Sequence, residues 1–215
     1  DIGDWPHTLK DIDTYPAGVK DPNESVLANA VNAANFDLLQ SLKAGNRVLE
    51  VGCGVASYLR DNLPDGVEWQ GIDVYTHDSR GRPSIATKLG SVHAIPFKNG
   101  YFDLVLSNQS IEHWFEFGVN LEQGLADIGR VLRVGGEARI NFPMHLHGHP
   151  IFVRGELSAV KALVDPNLWM LENMTAFIDS EEADYQGWRR CSFPDKYVWS
   201  CGEVRSAFVV EMIIR

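Results

Sequence analysis

Short apolar runs alternate along this chain with segments in which apolar residues recur every three or four positions. The runs predict buried strands at 47–51, 68–74, 102–107, 137–142 and 206–214. The periodic segments predict helices at 24–43, 56–63, 119–133 and 154–164. A short strand is also expected near 87–92, while 168–175 and 197–204 compete for one more. Strands alternating with helices predict a doubly wound α/β fold, a mostly parallel sheet with helices on both faces.

Charge and composition narrow the classes of partner. The 215 residues include 29 Asp and Glu against 19 Lys and Arg, which gives a net charge of −10. An acidic chain without a basic stripe binds phosphate backbones poorly, so no nucleic-acid partner is expected. No apolar run approaches the roughly 20 residues of a membrane span, so no membrane partner is expected either. The three cysteines form no disulfide framework and no zinc-ligand spacing, which predicts a cytoplasmic protein with reduced thiols.

A glycine turn follows the first of the central predicted strands. Gly52 and Gly54 stand at the carboxyl end of that strand, where a doubly wound sheet binds its ligand and glycine lets a ligand approach the backbone. Asp73 ends the next strand, and a carboxylate there can accept hydrogen bonds from both hydroxyl groups of a ribose. A dinucleotide fingerprint would require a third glycine where this chain has Ser57. Together the residues indicate a nucleoside-containing ligand, although each alone also suits a structural turn or a helix cap.

Three segments in this order resemble the class I S-adenosylmethionine-dependent methyltransferases, of the small-molecule and glycan type. Val48–Gly54 resembles the first motif of that family, and Val92–Val105 resembles its third and fourth strand region. Arg130–Gly136 is similar to the turn before its fifth strand. The resemblance covers roughly residues 45–142. It implies a seven-stranded sheet whose last strand runs antiparallel, and S-adenosylmethionine as the cofactor.

The resemblance also divides the chain and assigns residues to the cofactor. It implies one methyltransferase domain over 1–215, with a possible lid at 1–23, a cofactor-binding core at 45–142 and an acceptor-pocket insertion at 143–196. The implied cofactor-binding residues are Glu50, Gly52, Cys53, Gly54, Asp73, Val74, Ser91, Val92, His93 and Asn108. Among these, Glu50 and the glycine turn would hold the methionine part, Asp73 the ribose, and Val74 the adenine. Ser91 stands where the family often has an acidic residue, which leaves adenine recognition to the backbone that follows it.

Histidines follow two strands and supply the candidate acid–base chemistry. Methyl transfer requires alignment of the acceptor with the methyl group, and oxygen or nitrogen acceptors usually also need a base. His113 is the first candidate base and His145 the second, because histidine titrates near neutral pH. The residues expected to bind the acceptor are Glu112, Trp114, His147 and His149. If the second segment is extended, residues 145, 147 and 149 point the same way.

Three interpretations of these histidines remain open from the sequence. They could pack in a polar loop, bind the acceptor and take its proton, or hold a divalent metal ion together with Glu112. Their spacing matches no closed metal motif, so no metal is expected in the site.

The predicted function is methyl transfer to a small molecule or glycan, at oxygen in preference to nitrogen and with a histidine base. The alternatives are an NAD-dependent oxidoreductase, which also uses a glycine turn and a ribose carboxylate, and a non-catalytic partner protein with the same fold. A homodimer is possible.

Overall fold

The computed structural model describes residues 10–11, 26–144, 147–154, 157–180, 187–192 and 208–215. The expected lid at 1–23, apart from Lys10–Asp11, lies outside the described residues. So do His145 and the competing strand at 197–204. The domain division predicted above therefore stays a prediction.

The strands are β1 (Lys10–Asp11), β2 (Arg47–Val51), β3 (Glu68–Asp73), β4 (Lys88–Leu89), β5 (Phe102–Asn108), β6 (Leu132–Met144), β7 (Leu171–Ser180), β8 (Gly187–Ser192) and β9 (Phe208–Ile214). The α-helices are α1 (Val26–Leu39), α2 (Tyr58–Asp61), α3 (Leu121–Val131), α4 (Pro150–Val153) and α5 (Leu157–Ala162). Two 3-10 helices cover Val92–Ala94 and Ile111–Phe117. Among the described helices, none is both long and apolar enough to cross a membrane.

All described strands join one sheet in the order β1-β8-β7-β9-β6-β5-β2-β3-β4. The pairs from β4 to β6 are parallel, and β9 lies antiparallel between β6 and β7. This confirms the doubly wound α/β class and the antiparallel last strand. The expected number of seven strands is wrong, because nine strands pair within the described part of the chain. The two additional strands, β8 and β1, extend the edge formed by β7, where a seven-stranded sheet would leave backbone groups unpaired.

Successive side chains of the central strands point to opposite faces of the sheet, so the hydrophobic core has two parts, one on each face. On one face, Val48 of β2 and Leu104 of β5 pack with Leu38 of α1 and Leu59 of α2. On the other face, a larger cluster joins alternate strand residues to the apolar side of α3; it includes Leu49, Val105, Leu125 and Ile128. Because both faces are covered, the strands appear in the sequence as nearly continuous apolar runs.

The chain turns back on itself between β2 and β5. From β2 it proceeds outwards through β3 to β4, and it then returns to place β5 on the other side of β2. A crevice forms at such a switch point, beyond the carboxyl ends of the strands. Val51, Asp73 and Asn108 end the three strands around this crevice.

Asp103 joins the beginnings of three strands at the opposite edge of the sheet. It accepts hydrogen bonds from the Arg47 backbone N–H at 2.7 Å and from the Arg133 guanidinium at 2.5 Å. Burial alone would raise the pKa of Asp103, but these hydrogen bonds and the two arginine charges outweigh it and lower the pKa below its usual range. The ionised carboxylate therefore stabilises the folded state.

We expect Asp103→Ala to lower the free energy of unfolding at pH 7 by about 1–2 kcal/mol, because it removes a hydrogen bond from the part-buried Arg47 N–H and one from the exposed Arg133 guanidinium. Because the folded-state pKa is lowered, the carboxylate's ionic contribution is present above a pH of about 4 and disappears as the pH falls through the lowered value. Urea unfolding at pH 7 and pH 3 should show the difference from wild type shrinking at the lower pH. Asp65→Ala, in an exposed loop, is the control. An equal loss at both pH values would contradict an ionic role.

Candidate functional site

Two clefts open at the carboxyl edge of the sheet and meet at Gly52 and Gln109. The first cleft, about 540 Å³, lies over the ends of β2 and β3 and reaches the 3-10 helix at Ile111–Phe117. The second cleft, about 460 Å³, lies between α1 and the glycine turn. These volumes are within the range of small-molecule sites.

The turn after β2 depends on its glycines. Gly52 has a φ of 67° and Gly54 a φ of 63°, values that side-chain-bearing residues rarely adopt. A Cβ at Gly52 would lie 2.6 Å from the Cβ of Ser110, whereas a Cβ at Gly54 would meet no atom within 4 Å. The first glycine is therefore required for packing against the neighbouring loop, and the second leaves open space beside the backbone.

Asp73 connects this turn to the end of β3. Its buried carboxylate accepts hydrogen bonds from the N–H of Gly54 at 2.8 Å and from the N–H of Val74 at 2.7 Å, one on each oxygen. An ionised carboxylate offers about four acceptor positions, so about two remain for a ligand that enters the first cleft. This arrangement suits the predicted ribose contact.

Glu50 lines the second cleft, as Asp73 lines the first. Its buried carboxylate accepts hydrogen bonds from Ser57 Oγ at 2.6 Å, Trp69 Nε1 at 3.1 Å and Asn108 Nδ2 at 3.1 Å. Burial raises the pKa of Glu50, and the three hydrogen bonds act against the rise. Ser57, which replaces the third glycine of a dinucleotide fingerprint, thus orients the carboxylate expected to face the methionine part.

Gln109 is a site residue that the sequence analysis missed. It lines both clefts, and it is the one residue other than glycine with a positive φ, 48°, in the described part of the chain. Its backbone and side-chain N–H groups both bond to Asn141 Oδ1, at 3.1 and 3.0 Å. Asn141 also donates to Asn108 Oδ1. No local pattern marks Gln109, because its conformation depends on a residue 32 positions away.

Eight of the ten predicted cofactor residues line the two clefts. The first cleft is lined by Gly52, Asp73, Val74, Ser91 and Val92, and the second by Glu50, Gly52, Cys53 and Asn108. Gly54 and His93 line neither. His93 is exposed, and its ring is hydrogen-bonded to Ser91 Oγ at 2.8 Å. Burial raises the pKa of the Cys53 thiol to about 12, so this residue is not a nucleophile at neutral pH.

A cluster of Glu112, His113 and His147 lies beside the first cleft. His113 lines that cleft and donates from Nδ1 to Glu116 Oε1 at 2.7 Å. Its ring stacks on His147 with centroids 5.1 Å apart. Trp114 also lines the cleft, but its ring is largely buried against Gly124 and donates to Ser110 Oγ. The structure therefore brings together three of the predicted acceptor-side residues.

His149 does not join this cluster, because the condition under which 145, 147 and 149 would share one face, an extended segment, is not met at 147–149. Residues 147–149 form a bend, and Gly148 has a φ of 93°. His149 precedes α4, where its Nδ1 accepts a long hydrogen bond of 3.4 Å from the Ile151 N–H. Its ring also contacts Phe115 and Phe152. The chain turns at Gly148 to enter α4, so 147 and 149 do not lie on one face as residues two apart on a strand would.

Comparisons with known proteins agree with this geometry. Residues 49–140 match the family model described as Methyltransferase domain. The uncharacterized protein YafE of Escherichia coli (strain K12) is 31% identical over 74 residues. That alignment covers 34% of this chain and 33% of YafE, so the match spans about a third of the curated relative.

Solved structures share the fold at low sequence identity. A SAM-dependent methyltransferase from Aquifex aeolicus superposes with a TM-score of 0.53 at 14% identity, over 83% of this chain and 88% of that one. The [4+2]-cyclase SpnF superposes with a TM-score of 0.55 at 17% identity, over 91% of this chain and 85% of that one. Because one of these proteins is a cyclase, the fold alone does not determine the reaction.

Proposed function

We propose that this chain transfers a methyl group from S-adenosylmethionine to a small molecule or glycan, since its residues 49–140 match the family model of a methyltransferase domain. We further propose that the acceptor atom is oxygen and that His113 takes its proton. The observation that carries the second step is the pairing of His113 with Glu116 in the wall of the cleft that also contains Asp73.

The two clefts fit the cofactor. A nucleoside with an amino-acid tail needs two connected compartments, and these meet at Gly52. Asp73 has acceptor positions left for ribose hydroxyls. Glu50 and Asn108 would hold the methionine part in the second cleft. When bound, the cofactor supplies an electrophilic methyl group.

The carboxylate of Glu116 orients His113 as a base. Because Glu116 accepts the proton on Nδ1, the lone pair of the neutral ring resides on Nε2. The same division of roles, in which a carboxylate holds one ring nitrogen and the other accepts a proton, operates in histidine bases generally. A hydroxyl in the first cleft can then lose its proton to Nε2 as its oxygen becomes methylated.

Aromatic residues at the mouth of the first cleft support a small cyclic acceptor. Tyr75 and Phe117 both line this cleft and are partly exposed, with ring centroids 6.4 Å apart. Exposed aromatic faces pack against the apolar faces of sugars or other rings, while the polar groups deeper in the cleft can bind hydroxyls.

Calorimetric titration with S-adenosylmethionine, S-adenosylhomocysteine and NAD tests the cofactor, with a chelator present throughout. We expect micromolar binding of the first two and no binding of NAD. Radiolabelled methyl transfer to a panel of phenols, sugars and amines then tests the acceptor class. Binding of NAD alone would favour an oxidoreductase, and tight cofactor binding without turnover on any acceptor would favour the non-catalytic partner.

A further inference from the structure

Glu112 is a buried carboxylate with no hydrogen-bond donor among the residues that the structure describes. Its side chain has 0% exposure, and neither oxygen is hydrogen-bonded within that part of the chain. An isolated carboxylate inside a protein is costly, so it binds a proton, a hydrogen-bond donor or a cation. The groups that surround these two oxygens indicate which of the three is suitable.

Two imidazole nitrogens face the same oxygen of Glu112. The Nε2 atoms of His113 and His147 each lie 3.9 Å from Glu112 Oε1. One ligand atom from each of the three residues lies within 4.8 Å of the other two. Tetrahedral ligands at about 2.0–2.2 Å from zinc are roughly 3.3–3.6 Å apart. If each of the three side chains moved by less than about an ångström, their ligand atoms would therefore surround one ion at bonding distance.

Neighbouring residues hold the side chains of Glu112, His113 and His147 in place. The carboxylate of Glu116 accepts the Nδ1 proton of His113, an arrangement that orients metal-binding histidines in many proteins. The His149 N–H donates to the Glu112 carbonyl oxygen at 2.8 Å, which fastens the loop that carries His147. Gly148 packs so closely that a Cβ there would lie 2.6 Å from the Glu112 Cβ.

We propose that Glu112, His113 and His147 bind one divalent transition-metal ion of the zinc class, with a coordination position left open. Two imidazoles and one carboxylate suit zinc or iron(II), whereas magnesium and calcium prefer oxygen ligands. The site differs from the sequence expectation of no metal and does not depend on the identity of the acceptor. An ion on Nε2 of His113 excludes a proton there, so zinc is expected to slow methyl transfer by the metal-free route.

Zinc titration of the untagged full chain, stripped with a chelator and dialysed, tests the site without substrates. We expect one equivalent of zinc to bind at micromolar affinity or tighter. Glu112→Gln and His147→Asn should each weaken binding at least 10-fold, since even removing an outer-shell partner typically costs about 10–100-fold. His77→Asn, which changes a histidine outside the cluster, should bind zinc as wild type does. Cobalt(II) should give the absorption bands of a low-coordinate site in wild type and in His77→Asn, but not in Glu112→Gln or His147→Asn.

Thermal unfolding separates loss of the site from loss of the fold. Zinc should raise the Tm of wild type and of His77→Asn, but not that of Glu112→Gln or His147→Asn, because only a ligand of the folded state stabilises it. Both site variants should still bind S-adenosylhomocysteine, which shows that they are folded. Absence of zinc binding to wild type, or equal binding by all variants, would overturn the metal site and leave the proposed methyl transfer untouched.

Discussion

Replacing His113 by alanine is expected to lower kcat by about 10²–10⁴-fold, the usual contribution of a positioned base. Affinity for S-adenosylmethionine should be nearly unchanged, because Asp73 and Glu50 are separate groups that do not bond to His113. The measurement is steady-state methyl transfer with a chelator present, so that any effect on metal binding does not contribute. Calorimetric titration of the same variant with S-adenosylmethionine supplies the affinity.

Two further variants control this result. Glu116→Gln should give a smaller loss of kcat, because the amide no longer holds the Nδ1 proton as a carboxylate does. His77→Ala removes another imidazole from the lining of the first cleft and should lower kcat far less than His113→Ala, because His77 is exposed and bonds to Thr76 Oγ1 instead of a carboxylate. A loss confined to cofactor affinity in His113→Ala would place the residue among the cofactor contacts and remove it from proton transfer.

Asp73→Ala is expected to weaken binding of S-adenosylmethionine by about 1–3 kcal/mol, or roughly 5–150-fold. The substitution removes the acceptors assigned to the ribose. It also leaves the N–H groups of Gly54 and Val74 without their partner, so the turn itself is less well held. Calorimetric titration with S-adenosylhomocysteine measures the loss without turnover.

Asp65→Ala is the matched control for this substitution, since Asp65 is exposed and lines neither cleft. Asp73→Asn should retain part of the affinity, because one amide oxygen can still accept a hydrogen bond. If Asp73→Ala bound the cofactor as tightly as wild type, Asp73 would have a structural role only.

Features that depend on neighbouring residues in the chain could be predicted. β2 begins and ends at the expected residues, 47–51, because its apolar run is bounded by Asn46 and the glycine turn. β9 was predicted within two residues of its observed start. The carboxylate at the end of β3 could be placed at the crevice, which it lines, because parallel strands bring their carboxyl ends to one edge.

Features that depend on residues far apart in the chain could not be predicted from the sequence. β8 contains the polar and aromatic run Trp188-Arg189-Arg190, which has no clear period, and it forms a strand because β7 offers a free edge. The bend that separates His147 from His149 depends on a positive φ at Gly148 and on the capping of α4.

By itself, the sequence determined the order of the strands and helices from β2 to β6 and the position of the glycine turn, since both follow from local periodicity and from glycine at a strand end. Only the tertiary structure decided how the loops beyond β5 and β6 come together. It placed Gln109 between the clefts through Asn141, and it buried Glu112 against two imidazoles that are 1 and 35 positions away in the chain. Burial and the approach of distant side chains determine the chemistry of such a group, and neither is encoded in a local pattern.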